Sequence, residues 1–191
     1  GSNDTGYAIE LTQFSSEAGA DAVLVVTPYY NKATQNGLVK MYGAIADASK
    51  KPVILYNVPS RTGVNIEPST YLALSEHPMI AAIKEANGNF SKIAETIALV
   101  GDKLDVYSGN DDQVVPLLSL GGKGVISVLS NLLPAETSQM CHLFFEGKTE
   151  QSAQMQLAYM PLIRALFSEV NPIPVKAAMA AAWTNAGAQV V

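Results

Sequence analysis

Apolar and polar residues are grouped in blocks along this chain rather than alternating one by one. Five runs are nearly continuous in Val, Ile, Leu and Ala: VLVVTP (23–28), PVILYNV (52–58), IAAIKEA (80–86), LDVYSG (104–109) and KGVISVLS (123–130). Unbroken apolar runs of this length mark parallel strands buried on both faces, because a half-solvated strand would alternate. Successive starts lie roughly 20 to 30 residues apart, about the size of one strand–helix unit. The segments between them have helical spacing. TGYAIELTQFSSEAG ends at Gly19, a residue suited to a helix C-terminus. QNGLVKMYGAIADASKK places Leu38, Met41, Tyr42 and Ile45 on one face. PSTYLALSEHP opens with Pro68, Ser69 and Thr70, good first-turn residues. NFSKIAETIALVG, DDQVVPLLSLGG and LPAETSQMCHLFFEG continue the alternation. After residue 150 the pattern is helical only, in EQSAQMQLAYMPLIRALFSE and NPIPVKAAMAAAWTNAG.

Five parallel strand–helix units with short connections are compatible with an open doubly wound sheet or with part of an eight-stranded (β/α) barrel. Two features favour the α/β barrel. No G-x-G-x-x-G follows any strand. Polar residues also cluster at successive strand ends: Thr27 and Tyr30, Tyr56 and Asn57, Lys84 and Glu85, Ser108 and Asn110, Ser127 and Ser130. A barrel turns all these ends to one rim. The expected architecture is a partial barrel over residues 1–150, with a helical extension at 151–191 packed on it as one structural unit.

Composition narrows the class. Hydrophobic residues make up 48% of the 191 positions and charged residues 15%, which suits a chain with much buried backbone. With 17 acidic and 12 basic residues the net charge is −5, and no basic run invites nucleic acid. A single cysteine, Cys141, excludes an internal disulfide and fits a reducing, cytoplasmic setting. No 18-residue apolar stretch would cross a membrane. The opening GSNDTGYAIE has neither an initiator methionine nor an apolar signal core, as expected of a processed product or the edge of a longer chain.

Candidate chemistry sits on the middle strands. Lys84 closes the apolar run IAAIK, where a charge is costly without an exit to water. Either its amine snorkels to solvent or pairs with Glu85, or it is a nucleophile. Only a neutral amine attacks a carbonyl, and at the ordinary pKa roughly one lysine in 2,500 is neutral at pH 7. Bringing the pKa to about 7 means destabilising the ammonium by some 4 to 5 kcal/mol, which desolvation at an apolar barrel mouth can supply. Tyr56, one strand earlier, is either a core aromatic or a proton relay beside that amine. Arg61 follows on the next connection, as a solvated loop residue or as a fork for a carboxylate. Other candidates read as structure. LGGKG (120–124) lacks the spacing of a phosphate loop and suits a turn into the fifth strand. His77 and His142 lack a second ligand at metal spacing, so no metal is expected. NDD (110–112) serves as a helix N-cap. Cys141 is a small buried apolar residue, and Met155, Met160, Leu162, Leu166 and Phe167 form a core stripe.

The segments GADAVLVVTPYYNK, LYNVPSRTG, IKEANGN, YSGNDD, GGKGVISVLSN and NPIPVKAA, in this order, resemble the dihydrodipicolinate synthase family of pyruvate-dependent, class I aldolase-like enzymes, which includes N-acetylneuraminate lyase. YNVPSRTG with IKEA points to the synthase branch rather than the sugar-acid lyases. The resemblance implies a Schiff base between Lys84 and pyruvate, with no other cofactor, and attack of the resulting enamine on aspartate semialdehyde in the diaminopimelate route to lysine. It implies that Tyr56 relays protons, that Arg61 holds the semialdehyde carboxylate, and that Gly109 and the Ile126 carbonyl line the pocket. It makes Tyr30 a residue that crosses a tight dimer interface into the neighbouring site of a homo-oligomer. Asn3 and Tyr29 match a lysine feedback site, whereas Tyr7 stands where sensitive members carry an acidic residue.

Family members carry about three further strand–helix units before GSND, including a Gly-Thr-Thr-Gly-Glu-like loop, and further helices after WTNAGAQVV. Five strands of eight would leave VLVVTP and VISVLS as open apolar edges, which recruit partners or aggregate. The expectation is assembly or poor solubility, with catalysis by the chain alone absent or severely reduced. Another pyruvate aldolase and a non-catalytic half-barrel are the alternatives.

Overall fold

The structure, a computed structural model, describes residues 1–185. The five apolar runs form β1 (Val23–Val26), β2 (Val53–Asn57), β3 (Ile80–Glu85), β4 (Asp105–Ser108) and β5 (Gly124–Val125). They make one sheet in the order β1-β2-β3-β4-β5, and every neighbouring pair is parallel. Consecutive parallel neighbours joined through helices are the repeat of a (β/α) barrel wall. The connecting helices are α1 (Thr5–Glu17), α2 (Gln35–Ala48), α3 (Pro59–Thr62), α4 (Pro68–Leu74), α5 (Phe90–Val100), α6 (Val114–Ser119), α7 (Pro134–Phe145), α8 (Thr149–Leu166) and α9 (Ile173–Asn185).

Local chemistry sets the helix starts. Asp4 accepts from the Tyr7 N–H at 2.7 Å, Thr34 from Gly37 at 3.2 Å and Asn89 from Lys92 at 3.2 Å. Each satisfies one orphan donor of a first turn. Pro68 occupies the first turn of α4, where its missing N–H costs nothing.

The sheet face toward the helices carries Val25, Leu55, Ile83 and Val106, buried against Leu38, Tyr42, Ile45, Tyr71 and Ile93. Each such side chain taken fully from water contributes about 1.5–3 kcal/mol. Two smaller clusters follow. Val114, Leu118, Met140 and Cys141 pack α6 on α7, and Leu129, Ile163, Leu166 and Val175 hold α8 and α9.

Four local expectations change. The run 123–130 is a strand only at Gly124–Val125, and Leu129–Asn131 is a 3-10 turn. β4 ends at Ser108, whose carbonyl accepts the Ile126 N–H at 2.9 Å, so no partner strand continues. The next donors, Val128 and Leu129, are taken by the Asp111 carboxylate at 3.0 and 2.9 Å. NDD is therefore not a side-chain cap of the following helix: Asn110 makes no capping bond, and Asp111 serves β5's exit instead. The connection carrying Arg61 is a turn of helix, started by Pro59 and stopped by Gly63 at φ 72°. Within the stripe on α8, Leu166 is buried, but Phe167 is 43% exposed and turns toward the strand ends. The final segment, NPIPVKAAMAAAWTNAG, is helical from Ile173 to Asn185, and its remainder lies outside the described residues.

Candidate active site

Strand register builds the site. Tyr56 of β2 and Lys84 of β3 are direct neighbours, one pair before the strand ends. Neighbouring parallel residues in register project from the same face, here the face away from the helices. The Lys84 Nζ lies 4.3 Å from the centroid of the Tyr56 ring. Both side chains are half-buried. Burial holds the Lys84 amine below its ordinary lysine range, opposed by the negative charge of Asp111. Burial also pushes the Tyr56 phenol up, opposed by the Arg61 guanidinium. The pair is thus an amine biased toward neutrality beside a phenol that keeps its proton.

A cavity of about 190 Å³ opens at this point, lined by Tyr56, Arg61, Lys84, Gly109, Phe167 and Asn171 among others. Such a volume suits a small substrate rather than a drug-sized one. Gly109 is required by close approach: a Cβ there would stand 2.8 Å from the Ala86 Cβ and 3.2 Å from the Lys84 Cε. Its N–H donates to the Glu85 carbonyl at 2.7 Å, which draws the end of β4 against β3. Arg61 is exposed at the mouth, and its Nη2 donates to the Asn171 carbonyl at 3.3 Å. That contact ties the segment after α8 over the cavity. A larger cleft of about 470 Å³ shares Asn110 and Phe167 with the smaller cavity but has no lysine in its wall.

The structure brings Lys84, Tyr56, Arg61 and Gly109 together. Ile126 is not in the cavity wall, which has Val128 there instead. Tyr30 lies outside this cavity, 89% exposed on a backbone of φ 73°, and its N–H donates to the Thr62 carbonyl at 3.3 Å. Tyr29 and Asn3 do meet, since the Asn3 amide donates to the Tyr29 carbonyl at 3.3 Å. No group of three or more His, Cys, Asp or Glu side chains able to hold a metal occurs among the described residues.

Glu85 does not pair with Lys84. It faces the helices and is 1% exposed. Its Oε1 accepts from Asn57 Nδ2 at 2.9 Å and from the Asn87 N–H at 2.8 Å; its Oε2 accepts from the Tyr71 hydroxyl at 2.9 Å. Strand alternation could have found this, because adjacent residues point to opposite faces. Asp111, Phe167 and Asn171 were missed as site residues. Asp111 lies in a turn, helical periodicity puts Phe167 in the core stripe of α8, and Asn171 belongs to a segment beyond the strands, so none of them stands out as a rim residue.

Known proteins match this chain along nearly its whole length. The family model for the dihydrodipicolinate synthetase family matches residues 1–190. A 4-hydroxy-tetrahydrodipicolinate synthase of Clostridium novyi (strain NT) is 52% identical over 188 residues, covering 98% of this chain and 64% of that protein. The dihydrodipicolinate synthase structure from Thermotoga maritima superposes with a TM-score of 0.92 at 43% identity, over 94% of this chain and 62% of that one. The chloride-inhibited dihydrodipicolinate synthase from Acinetobacter baumannii, complexed with pyruvate, gives 0.91 at 44% identity, over 94% and 62%. The chain thus spans somewhat under two thirds of the length of these relatives. With its parallel strands in barrel order, its lysine and tyrosine on one rim and this match along nearly its whole length, the chain belongs to the dihydrodipicolinate synthetase family.

Proposed function

We propose that this chain carries the Schiff-base centre of a 4-hydroxy-tetrahydrodipicolinate synthase, which condenses pyruvate with L-aspartate 4-semialdehyde. One observation carries the reading: the Lys84 amine, biased toward its neutral form, stands 4.3 Å from the Tyr56 ring at the C-terminal rim of the sheet. The pyruvate bound to the Acinetobacter baumannii relative supports the choice of keto acid.

The chemistry follows from these groups. The neutral Nζ attacks the pyruvate carbonyl carbon, and water leaves to give the imine. Loss of a methyl proton gives the enamine, whose terminal carbon attacks the aldehyde of the second substrate. The amino group of the second substrate then attacks the imine carbon, which closes the product ring and displaces the Lys84 amine. Each stage moves a proton, and a phenol can both give and take one. Tyr56, kept protonated by burial, is the donor at hand. Arg61 at the mouth offers a planar fork to the semialdehyde carboxylate, provided it releases the Asn171 carbonyl. The steps require neither a metal nor a second organic cofactor.

Tyr30, held out on a strained backbone, fits a contact with a second copy of the chain, and the reading includes a homo-oligomer. Asn3 and Tyr29 are assigned to a regulatory site for an amino acid. No helix among the described residues is long and apolar enough to cross a membrane, and a cytoplasmic location goes with the proposed biosynthetic role.

Labelled pyruvate with borohydride tests the centre. A pyruvyl adduct should appear on the peptide carrying Lys84. When aldehyde is added before the borohydride, aspartate semialdehyde should deplete the trappable adduct faster than sugar aldehydes do. Faster depletion by sugar aldehydes would make the chain an N-acetylneuraminate lyase-like aldolase. No adduct would leave it a non-catalytic half-barrel.

A further inference from the structure

The end of the β2–β3 pair has a second polar group, on the face opposite the cavity. Register places Asn57 opposite Glu85, one step beyond the Tyr56–Lys84 pair. Asn57 is 0% and Glu85 1% exposed. We infer that Glu85, through Asn57 and Tyr71, is a positioning residue: its carboxylate locks the ends of β2 and β3 so that the Lys84 amine is held against the Tyr56 ring. The inference deepens the Schiff-base reading and rests on it.

The contacts of Glu85 come from three directions. Asn57 Nδ2 on β2 reaches both oxygens, at 2.9 and 3.2 Å. Tyr71 on α4 donates at 2.9 Å, and the Asn87 N–H on the outgoing loop at 2.8 Å. The Asn57 amide oxygen accepts the Ile66 N–H at 3.1 Å, and its Nδ2 also donates to the Asn65 amide oxygen at 2.9 Å, so Asn57 is itself fixed. The backbone continues the lock: the Ala86 N–H donates to the Asn57 carbonyl at 2.9 Å, and the Gly109 N–H to the Glu85 carbonyl at 2.7 Å. Ala86 and Gly109 both line the cavity. A movement of Glu85 is therefore transmitted to the wall beside the lysine.

The choice of residue is informative. Its side-chain partners are donors, an arrangement that suits an ionised carboxylate. The groups acting on it are Asn57, Tyr71 and the N–H groups of Ala86 and Asn87, with Tyr42 of α2 behind Tyr71; none is a cation. Burial accordingly raises its pKa to about 7. A buried charge without a counter-ion is an expensive way to join two strands, since apolar packing would do it at lower cost. What the carboxylate adds is direction: three donors from three elements converge on two oxygens.

The test reads the amine without substrate. Lys84 is acylated by acetic anhydride across a pH series in the whole chain, and the adduct is quantified on its peptide. In the native chain the reactivity of Lys84 should rise at lower pH than that of free lysine. In Glu85→Gln, whose amide brings two hydrogens where donors converge, the profile should move up toward free lysine. Trapping of pyruvate by borohydride should fall by about 100-fold, the scale expected of a misplacement near 1 Å. If Glu85→Gln does not fold, Tyr71→Phe removes one donor, keeps the carboxylate and should shift the profile the same way by less. A Glu85→Gln or Tyr71→Phe chain of lowered melting temperature and unchanged Lys84 profile would overturn the inference, because the network would then serve stability alone. If the native chain traps no pyruvate, the Schiff-base reading fails, while the acylation profiles still decide the lock.

Discussion

The two faces of the β2–β3 rim, one residue apart in sequence, are built on opposite plans. On the face toward the helices, Asn57 and Glu85 are fully buried and tied by hydrogen bonds to α4 and to both outgoing connections. On the other face, Lys84 and Tyr56 are half-buried, and their contact is the amine over the ring. One face is fixed and the other is free to react. A reactive amine needs a rigid base but must keep its own donors uncommitted, and strand alternation supplies both within two residues.

The sharpest way to break this comparison is Lys84→Ala. Pyruvate and borohydride should then leave the mass of the chain unchanged, and any remaining adduct would move the chemistry to another lysine. Next in size is Tyr56→Phe, which keeps the ring against the amine and removes the hydroxyl. Trapping should slow by about 10²–10⁴-fold, the usual contribution of a positioned proton donor. Retention of the native rate would make Tyr56 a packing residue and confine the chemistry to one side chain.

On the fixed face the expected effect is on stability, and its sign follows from burial. Burial raises the folded-state pKa of Glu85 from the ordinary 4.5 to about 7. Its contribution to stability is therefore full below about pH 4.5 and lost as pH rises through about 7. The loss amounts to about 3 kcal/mol over that window. Urea unfolding between pH 4.5 and 8 should show this decline in the native chain and a flatter profile in Glu85→Gln. Equal profiles would mean that the carboxylate is not held as the geometry indicates.

Much of this was legible in the residues. Continuous apolar runs located all five strands, and the residue types at their ends located the rim. Lys84, Tyr56, Arg61 and Gly109 line one cavity, whereas Ile126 and Tyr30 do not. Residue types alone leave the rim undivided. Lys84 and Glu85 look equivalent as strand ends until strand alternation sends them to opposite faces, and register then shows that Glu85 meets Asn57. The fifth strand was overread for a related reason. VISVLS has strand composition, but β4 has already ended, and the Asp111 carboxylate takes the N–H groups a further strand would have needed. Composition does not reveal where a partner strand stops.

Asp111 offers the smallest and most discriminating change. It is 2% exposed, and its Oδ2 accepts both the Val128 and Leu129 N–H groups. Its Oδ1 has no partner among the described protein groups. In Asp111→Asn the single amide oxygen can accept both bonds, and the NH₂ takes the place of Oδ1, so the shape of the turn is kept and only the charge is lost. That charge is what opposes the lowering of the Lys84 pKa by burial. Its removal should move the acylation profile of Lys84 to still lower pH, opposite to the shift expected of Glu85→Gln. The two variants thus separate two ways a buried carboxylate can act on the amine: through the field, where removing charge favours the neutral form, or through placement, where removing charge returns the amine toward water. If both profiles moved the same way, the fixed face would act on Lys84 by charge alone, and the division of labour between the two faces of the rim would not hold.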